Sequence, residues 1–157
     1  MTRDYDCVMS LPVASLGIRI EGERLQRIDL LPPQTSEQAP THPVAAEVQR
    51  QIGCYLEDPA WRFDLPVQDG GTPFQQRVWQ ALREIRPGQP FTYGGLAAHL
   101  GSGPRAVGSA CRANPIPVVV PCHRVIATTG LGGFAGSRNG LWPKVKEWLL
   151  SHEGYIA

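Results

Sequence analysis

No window of this chain approaches the roughly 18 apolar residues that a membrane-crossing helix needs. The start, Met1-Thr2-Arg3-Asp4-Tyr5-Asp6, has no apolar core behind a basic flank. Neither membrane insertion nor secretion is expected. The four cysteines, Cys7, Cys54, Cys111 and Cys122, form no CxxC pair and no finger-like Cys/His array. That spacing gives no reason to expect a disulfide framework or a bound metal, and free thiols in a reducing cytoplasm are the simplest reading. Charge is scarce too: Asp, Glu, Lys and Arg make up 18% of the chain and sum to +1, so no strongly basic domain announces a nucleic acid. Its distribution says more. From Gly88 to Ala127 there are Arg105, Arg112 and Arg124 and no Asp or Glu, so this stretch can approach phosphates without acidic repulsion.

What is present is enough for a folded core. The chain has 157 residues, 42% of them hydrophobic, and a domain of that size hides roughly 68–70% of its unfolded surface. The first half reads as β-rich. Cys7 to Leu11, Leu16 to Glu21 and Leu25 to Leu31 are short strand-like runs, and Glu21-Gly22-Glu23 suits a hairpin. A loop from Leu31 through Pro43 follows, and then Val44, Val48, Ile52, Tyr55 and Leu56 recur at helical spacing. The polar run Gln68-Asp69-Gly70-Gly71 marks a boundary between a domain over residues 1–70 and another over 71–157.

Thr72-Pro73-Phe74-Gln75 opens the second half as a capping box with proline at the first helical position. Phe74, Val78, Leu82 and Ile85 then form one stripe, which Pro87-Gly88 is expected to end. Tyr93 to Leu100, the turn Gly101-Ser102-Gly103 and Pro104 to Arg112 make a helix-turn-helix pattern. Three prolines exclude a helix from Asn114 to Pro121, so an extended, buried segment is expected to deliver Cys122. A glycine-rich loop over 130–140 precedes a last helix that begins near Pro143 and stops at Gly154.

Pro121-Cys122-His123-Arg124-Val125 sets a candidate nucleophile beside a candidate base. A thiol with a pKa of about 8.5 is only a few per cent thiolate at neutral pH, so a base held by a carboxylate has work to do here. Glu147 and Glu153 are the candidate carboxylates. An isolated Cys-His pair is more often a small buried hydrophobe beside a satisfied core histidine. The surrounding sequence reverses that prior. Phe74-Gln75, Val78-Trp79, Tyr93-Gly94, Leu96-Ala97, Arg105-Ala106-Val107-Gly108, Asn114-Pro115-Ile116-Pro117, Pro121-Cys122-His123-Arg124-Val125, Glu147-Trp148-Leu149-Leu150 and His152-Glu153-Gly154 follow in order. Together they resemble the O6-alkylguanine-DNA alkyltransferases, also called methylated-DNA–protein-cysteine methyltransferases, over roughly residues 71–154.

The resemblance implies an α+β protein: a small ribonuclease-H-like sheet-and-helix domain supporting a mainly helical domain with a helix-turn-helix and an active-site loop. It implies direct-reversal DNA repair in a single turnover. O6-alkylguanine, chiefly O6-methylguanine, leaves the duplex and its alkyl group passes to Cys122; O4-methylthymine is left open as a second substrate. His123, a water and Glu153 match the relay that holds the thiolate, Asn114 matches a hinge, and Tyr93 matches the residue that rotates the phosphate. Arg105 matches the arginine that replaces the flipped base in the stack. Ala106, Gly108, Ser109, Arg112 and Arg124 are expected on DNA with it, the second helix entering the minor groove largely without regard to sequence. Cys111, Val125, Phe134, Ala135 and Gly136 would line the base pocket. Phe134 and the added Ser137-Arg138-Asn139 depart from the commoner pattern and leave the size of the accepted alkyl group open. The implied protein is a monomer that uses no cofactor and no metal.

Three other readings compete. A non-catalytic lesion binder would carry another residue at the acceptor position, and Cys122 opposes it. A helix-turn-helix regulator would need long polar side chains at the start of its reading helix, where Ala106 and Gly108 stand. A thiol hydrolase would use Cys122 and His123 but have no need of Arg105, Tyr93 or the helix-turn-helix.

Overall fold

The computed structural model describes residues 5–68, 70–130 and 140–155. The chain divides into two compact units, Met1–Asp69 and Gly70–Ala157. In the first, β1 (Cys7–Ser10), β2 (Ser15–Glu21) and β3 (Arg24–Leu31) form an antiparallel sheet in chain order. Glu21 faces Arg24 across a tight turn in which Gly22 takes φ +62, a left-handed conformation that glycine adopts without a Cβ penalty. Leu16, Ile18 and Leu25 are wholly buried on the sheet. Helix α1 (Pro43–Glu57) contributes Ala45, Val48, Ile52 and Tyr55 to that core.

Pro43, read from sequence as the end of a loop, instead lies in the first turn of α1, where its missing N–H leaves no bond unmade. His42 caps that turn, its Nδ1 accepting from the Val44 N–H at 3.0 Å. Gln51 is the polar residue on the helix's buried face. Its amide both donates to the Asp64 carbonyl and accepts from the Asp64 N–H, each at 2.9 Å. The chain beyond Asp64 then runs beside β3, with Leu25 donating to Pro66 at 2.7 Å and Gln68 donating to Leu25 at 2.9 Å.

In the second unit, α2 (Pro73–Leu82) begins with the capping box that the sequence encodes. Gln75 N–H donates to Thr72 Oγ1 at 3.1 Å, and Thr72 N–H donates to Gln75 Oε1 at 2.9 Å. The helix ends at Leu82 rather than at Pro87-Gly88. Glu84 and Ile85 donate back to Ala81 and Leu82 at 3.0 and 3.1 Å, so the chain tightens into successive turns that still bury Ile85. The apolar stripe thus outlasts the helix.

The helix-turn-helix consists of α3 (Tyr93–Leu100) and α4 (Pro104–Arg112). Thr92 caps α3 through its side chain, and Gly101 ends it at φ +67. Helix α2 holds both: Arg77 Nη2 donates to the Leu100 carbonyl and Trp79 Nε1 to the Ala110 carbonyl, each at 2.8 Å. Just before α3, β4 (Phe91–Thr92) pairs in parallel with β5 (Val125–Ile126), Phe91 opposite Val125. That short ladder brings the start of α3 alongside the chain leaving Cys122. Helix α5 (Trp142–His152) buries Trp142, Val145, Lys146, Leu149 and Leu150. Among the described residues no helix is long and apolar enough to cross a membrane.

The segment from Asn114 to Pro121 is buried as expected at Ile116, Val118, Val119 and Val120, but it is not extended. It coils through turns, Val120 donating to the Ile116 carbonyl at 2.9 Å. Val118 takes φ +75, a strained conformation for a β-branched residue that costs on the order of 1–3 kcal/mol. Cys122, His123 and Arg124 then form a 3-10 turn. Prolines rule out the helix and the ladder, but they leave a compact coil available, and the Asn114 side chain closes it.

Thr72→Ala removes one half of the reciprocal cap and is expected to lower the stability of the second unit by about 1 kcal/mol. Thr72→Ser keeps the acceptor oxygen and should change little. Urea denaturation followed by Trp fluorescence reads both.

Candidate active site

Cys122 stands at the first position of the 3-10 turn, 7% exposed. Asn114 holds the coil that leads to it. Its Nδ2 donates to the Val120 carbonyl at 2.8 Å, and its Oδ1 accepts from the Ile116 N–H at 3.0 Å. Burial raises the pKa of the Cys122 thiol above its ordinary value, against the opposing pull of a hydrogen bond with the Asn114 side chain and of the Lys146 charge. At rest the group is therefore a thiol.

The next residue points into a buried ion network. His123 Nε2 lies 2.7 Å from Glu153 Oε2, with both side chains fully inaccessible. Arg124 grips the same carboxylate with two donors, Nε to Oε1 and Nη2 to Oε2, each at 2.9 Å. Its Nη1 donates to the Ile85 carbonyl at 2.8 Å. Burial alone would raise the pKa of Glu153, but hydrogen bonds and charge from His123 and Arg124 reverse this and bring it down to about 2. Burial also lowers the pKa of His123, more than Glu153 raises it. The ring is consequently neutral at pH 7. Because an ionised carboxylate can only accept, the ring proton sits on Nε2 and Nδ1 presents a bare lone pair. Nδ1 is buried and has no hydrogen-bond partner among the described residues. A neutral imidazole in this tautomer can accept a proton at Nδ1, and its neighbour in the chain is a protonated thiol.

Gly88 packs against the backbone of Glu153. It takes φ +80, and a Cβ there would lie 2.8 Å from the Glu153 carbonyl oxygen. Glu153 itself caps the C-terminus of α5, its N–H donating to Leu149 and Leu150.

The remaining walls come from the helix-turn-helix and from α5. Tyr93, half-buried, keeps its phenol proton because burial and the nearby thiols of Cys111 and Cys122 push its pKa up. Cys111 lies on the core face of α4, its thiol pushed up to about 12, chiefly by burial. Lys146 Nζ donates to the Val125 carbonyl at 2.6 Å and lies 3.4 Å from the Tyr93 hydroxyl. On the opposite side of α4, Arg105, Ala106, Ser109 and Arg112 are exposed, while Val107, Ala110 and Cys111 face the core. The outer surface of α4 is therefore small in its middle and basic at both ends.

Residues 73–155 match the family model described as 6-O-methylguanine DNA methyltransferase, DNA binding domain. This chain belongs to the methylated-DNA–protein-cysteine methyltransferase family. The relative from Salmonella typhimurium is 57% identical over 95 residues, which cover 59% of this chain and 53% of that protein. This chain thus spans about half the length of that relative. The constitutive methylated-DNA–protein-cysteine methyltransferase of Bacillus subtilis is 37% identical over 162 residues, covering 96% of this chain and 95% of that protein. Among solved structures, a Mycobacterium tuberculosis O6-methylguanine methyltransferase matches with TM-score 0.75 and 35% identity, over 93% of this chain and 90% of that one. The OGT of the same organism, in complex with DNA, matches with TM-score 0.73 and 33% identity, over 93% and 90%. The mixed α and β architecture expected from the sequence is that of these family structures.

The structure brings Cys122, His123, Asn114, Glu153, Cys111 and Val125 into the second unit's interior, with half-buried Tyr93 beside Lys146. Gly108 is half-buried on α4, and a Cβ there would meet nothing within 4 Å. Arg124 is a correction. Expected on DNA, it instead has Nε, Nη1 and Nη2 committed to Glu153 and the Ile85 carbonyl, and it is buried. Glu147 is exposed on α5, which leaves Glu153 as the carboxylate that meets His123. Phe134, Ala135, Gly136 and the Ser137-Arg138-Asn139 stretch lie outside the described residues. Lys146 is the site residue that the sequence reading missed. Its signal was available, because it falls between Trp142 and Leu149-Leu150 on the buried stripe of α5.

Replacing Glu153 with Gln leaves the Arg124 charge buried without its partner, and is expected to cost about 3–5 kcal/mol of stability. The wild-type carboxylate is held well below its ordinary 4.5, so its stabilisation is complete above that pH and drains away as the pH falls toward 2. Urea midpoints taken from pH 6 down to pH 3 should fall more steeply for the wild type than for Glu153→Gln.

Proposed function

We propose that this protein repairs O6-alkylguanine in double-stranded DNA by moving the alkyl group to Cys122 Sγ, once per molecule. The supporting observation is the buried sequence Cys122, neutral His123 with a free Nδ1, and ionised Glu153 clamped by Arg124. A base so oriented can take the thiol proton, directly or through a water. The thiolate attacks the alkyl carbon, an S–C bond forms as the O6–C bond breaks, and the bonding pair returns to guanine. Guanine leaves with one proton handed over by the Tyr93 hydroxyl, and the proton that His123 took from the thiol passes back to Tyr93, so both side chains end neutral. A thioether remains, which no group among the described residues of the site can cleave. O6-methylguanine is the chief substrate of this reading.

O6 lies on the base edge, within the stack and against the partner base, so in-line attack by a buried sulfur requires the nucleotide to be flipped out at a cost of a few kcal/mol. Helix α4 suits this reading. Its small residues Ala106 and Gly108 let the helix lie close in the minor groove. Arg105 at its exposed start would fill the gap in the stack, and Ser109 and Arg112 would meet the backbone, whose phosphates take most protein–DNA hydrogen bonds. Such contacts carry little sequence information. The protein would act as a monomer in the cytoplasm, with residues 1–70 supporting and 71–157 binding DNA and reacting.

Incubation with duplex carrying O6-methylguanine, followed by peptide mass analysis, should find one methyl on the peptide that contains Cys122. A bound lesion with no methylated Cys122 peptide would refute the proposal and favour a non-catalytic lesion binder. Cys122→Ala should abolish transfer and keep lesion binding. Arg105→Ala should slow repair in duplex at least tenfold while leaving the reaction with free O6-benzylguanine nearly unchanged, because only duplex requires flipping. Equal losses on both substrates would remove Arg105 from that role.

A further inference from the structure

Lys146 has no part in the relay, yet it is 1% exposed, one of the least accessible side chains of the second unit. A buried ammonium is costly unless an opposite charge or a full set of acceptors meets it. Among the described residues no carboxylate lies within ion-pair distance of it. Its contacts are the Val125 carbonyl at 2.6 Å, the Tyr93 hydroxyl at 3.4 Å and the face of the Tyr93 ring, 5.5 Å from the centroid. These neutral partners fix Nζ, without neutralising it, at the backbone that leaves the Cys122 turn. The titratable groups around it are Tyr93 from α3, Cys111 from α4, and Cys122 and His123 from the 3-10 turn.

We propose that Lys146 is a positioning residue of the acceptor site, the fixed counter-charge against which the Cys122 thiolate forms. When Cys122 becomes a neutral thioether, that ammonium is left buried without an opposite charge. The second half of this inference rests on the function proposed above; the first half does not. Burial drags the pKa of Lys146 down to about 8, and charge on Cys122 and Cys111 would raise it. Reciprocally, the Lys146 charge favours the ionised form of Cys122. Such coupling must be mutual, because each charge stabilises the other by the same energy. Cys111, with its thiol held up to about 12, stays protonated near neutral pH and leaves Cys122 as the partner that changes charge. A merely structural tie between α5 and β5 would require the Val125 contact alone, and a neutral hydrogen-bond donor would serve it equally well.

The test uses iodoacetamide, which replaces iodide with the thiolate sulfur and involves no DNA. The rate of carbamidomethylation of the Cys122 peptide is followed against pH by mass analysis. In Lys146→Met the profile should shift to higher pH by a unit or more, so that the rate at neutral pH falls about tenfold. In Lys146→Arg the shift should be largely reversed. Coincident profiles for Lys146→Met and the wild type, with cooperative melting intact, would overturn the proposal. Because this experiment uses no DNA lesion, failure of methyl transfer from DNA would leave its result standing.

Discussion

The carboxylate of Glu153 is the constraint on which the second unit's chemistry depends. The side chain is fully inaccessible, and its oxygens accept hydrogen bonds from Arg124 and, on the tautomer that this requires, from His123. A buried carboxylate survives only with such compensation. Here the compensation is also a means of assembly. Glu153 caps α5 through its backbone N–H, while the anion fixes the tautomer of His123 and, through Arg124 Nη1, reaches the turn at Ile85 that follows α2. Gly88, without a Cβ, leaves room for the backbone carbonyl of the same residue. Turn, helix end and reactive segment are thus referenced to one residue.

The coil that presents Cys122 shows a different balance. Val118 is held at positive φ, a conformation that persists only where the surroundings over-determine it. The Asn114 amide supplies part of that determination, bridging Ile116 and Val120 across the coil. Burial of Ile116, Val118, Val119 and Val120 supplies the rest. An extended run of the same residues would have set Cys122 and His123 on opposite faces. The 3-10 turn instead places a thiol, a base and a guanidinium on successive corners of one turn, with His123 and Arg124 both directed at Glu153.

What the sequence made legible and what it did not divide along physical lines. The starts of α2 and α4 and the end of α3 were readable because a capping box, a proline at the first helical position and a glycine at the helix end are local devices. The hairpin at Gly22 was readable for the same reason. The acceptor, its histidine and its asparagine were readable from a resemblance carried by motifs in order. The coil over 114–121 was not, since prolines state what a segment cannot be and leave its tertiary closure unstated. Arg124 was misassigned because an acid-free stretch in sequence acquired an acid in space, from Glu153 twenty-nine residues away. Lys146 was overlooked because a lysine within an apolar helical stripe reads as a solvated interruption until the structure shows it buried.

These last two residues share a logic. Among the described residues the second unit buries two cations, Arg124 and Lys146, and treats them oppositely: Arg124 is saturated by a carboxylate, and Lys146 is left with neutral partners. A saturated cation can orient but has little field to spare, whereas an unsaturated one retains its field for a charge that has yet to appear. Burial keeps the resting thiol protonated, and the thiolate is the reactive nucleophile. An acceptor that can be used only once gains from that arrangement under the proposed reaction. It stays unreactive toward stray electrophiles in the solvent, and it ionises where a base, a counter-charge and an extruded substrate coincide. The same low-dielectric enclosure that raises the thiol's pKa strengthens the interaction with Lys146 once the proton has gone. Enclosure therefore both restrains the acceptor and, when the substrate arrives, drives its reaction.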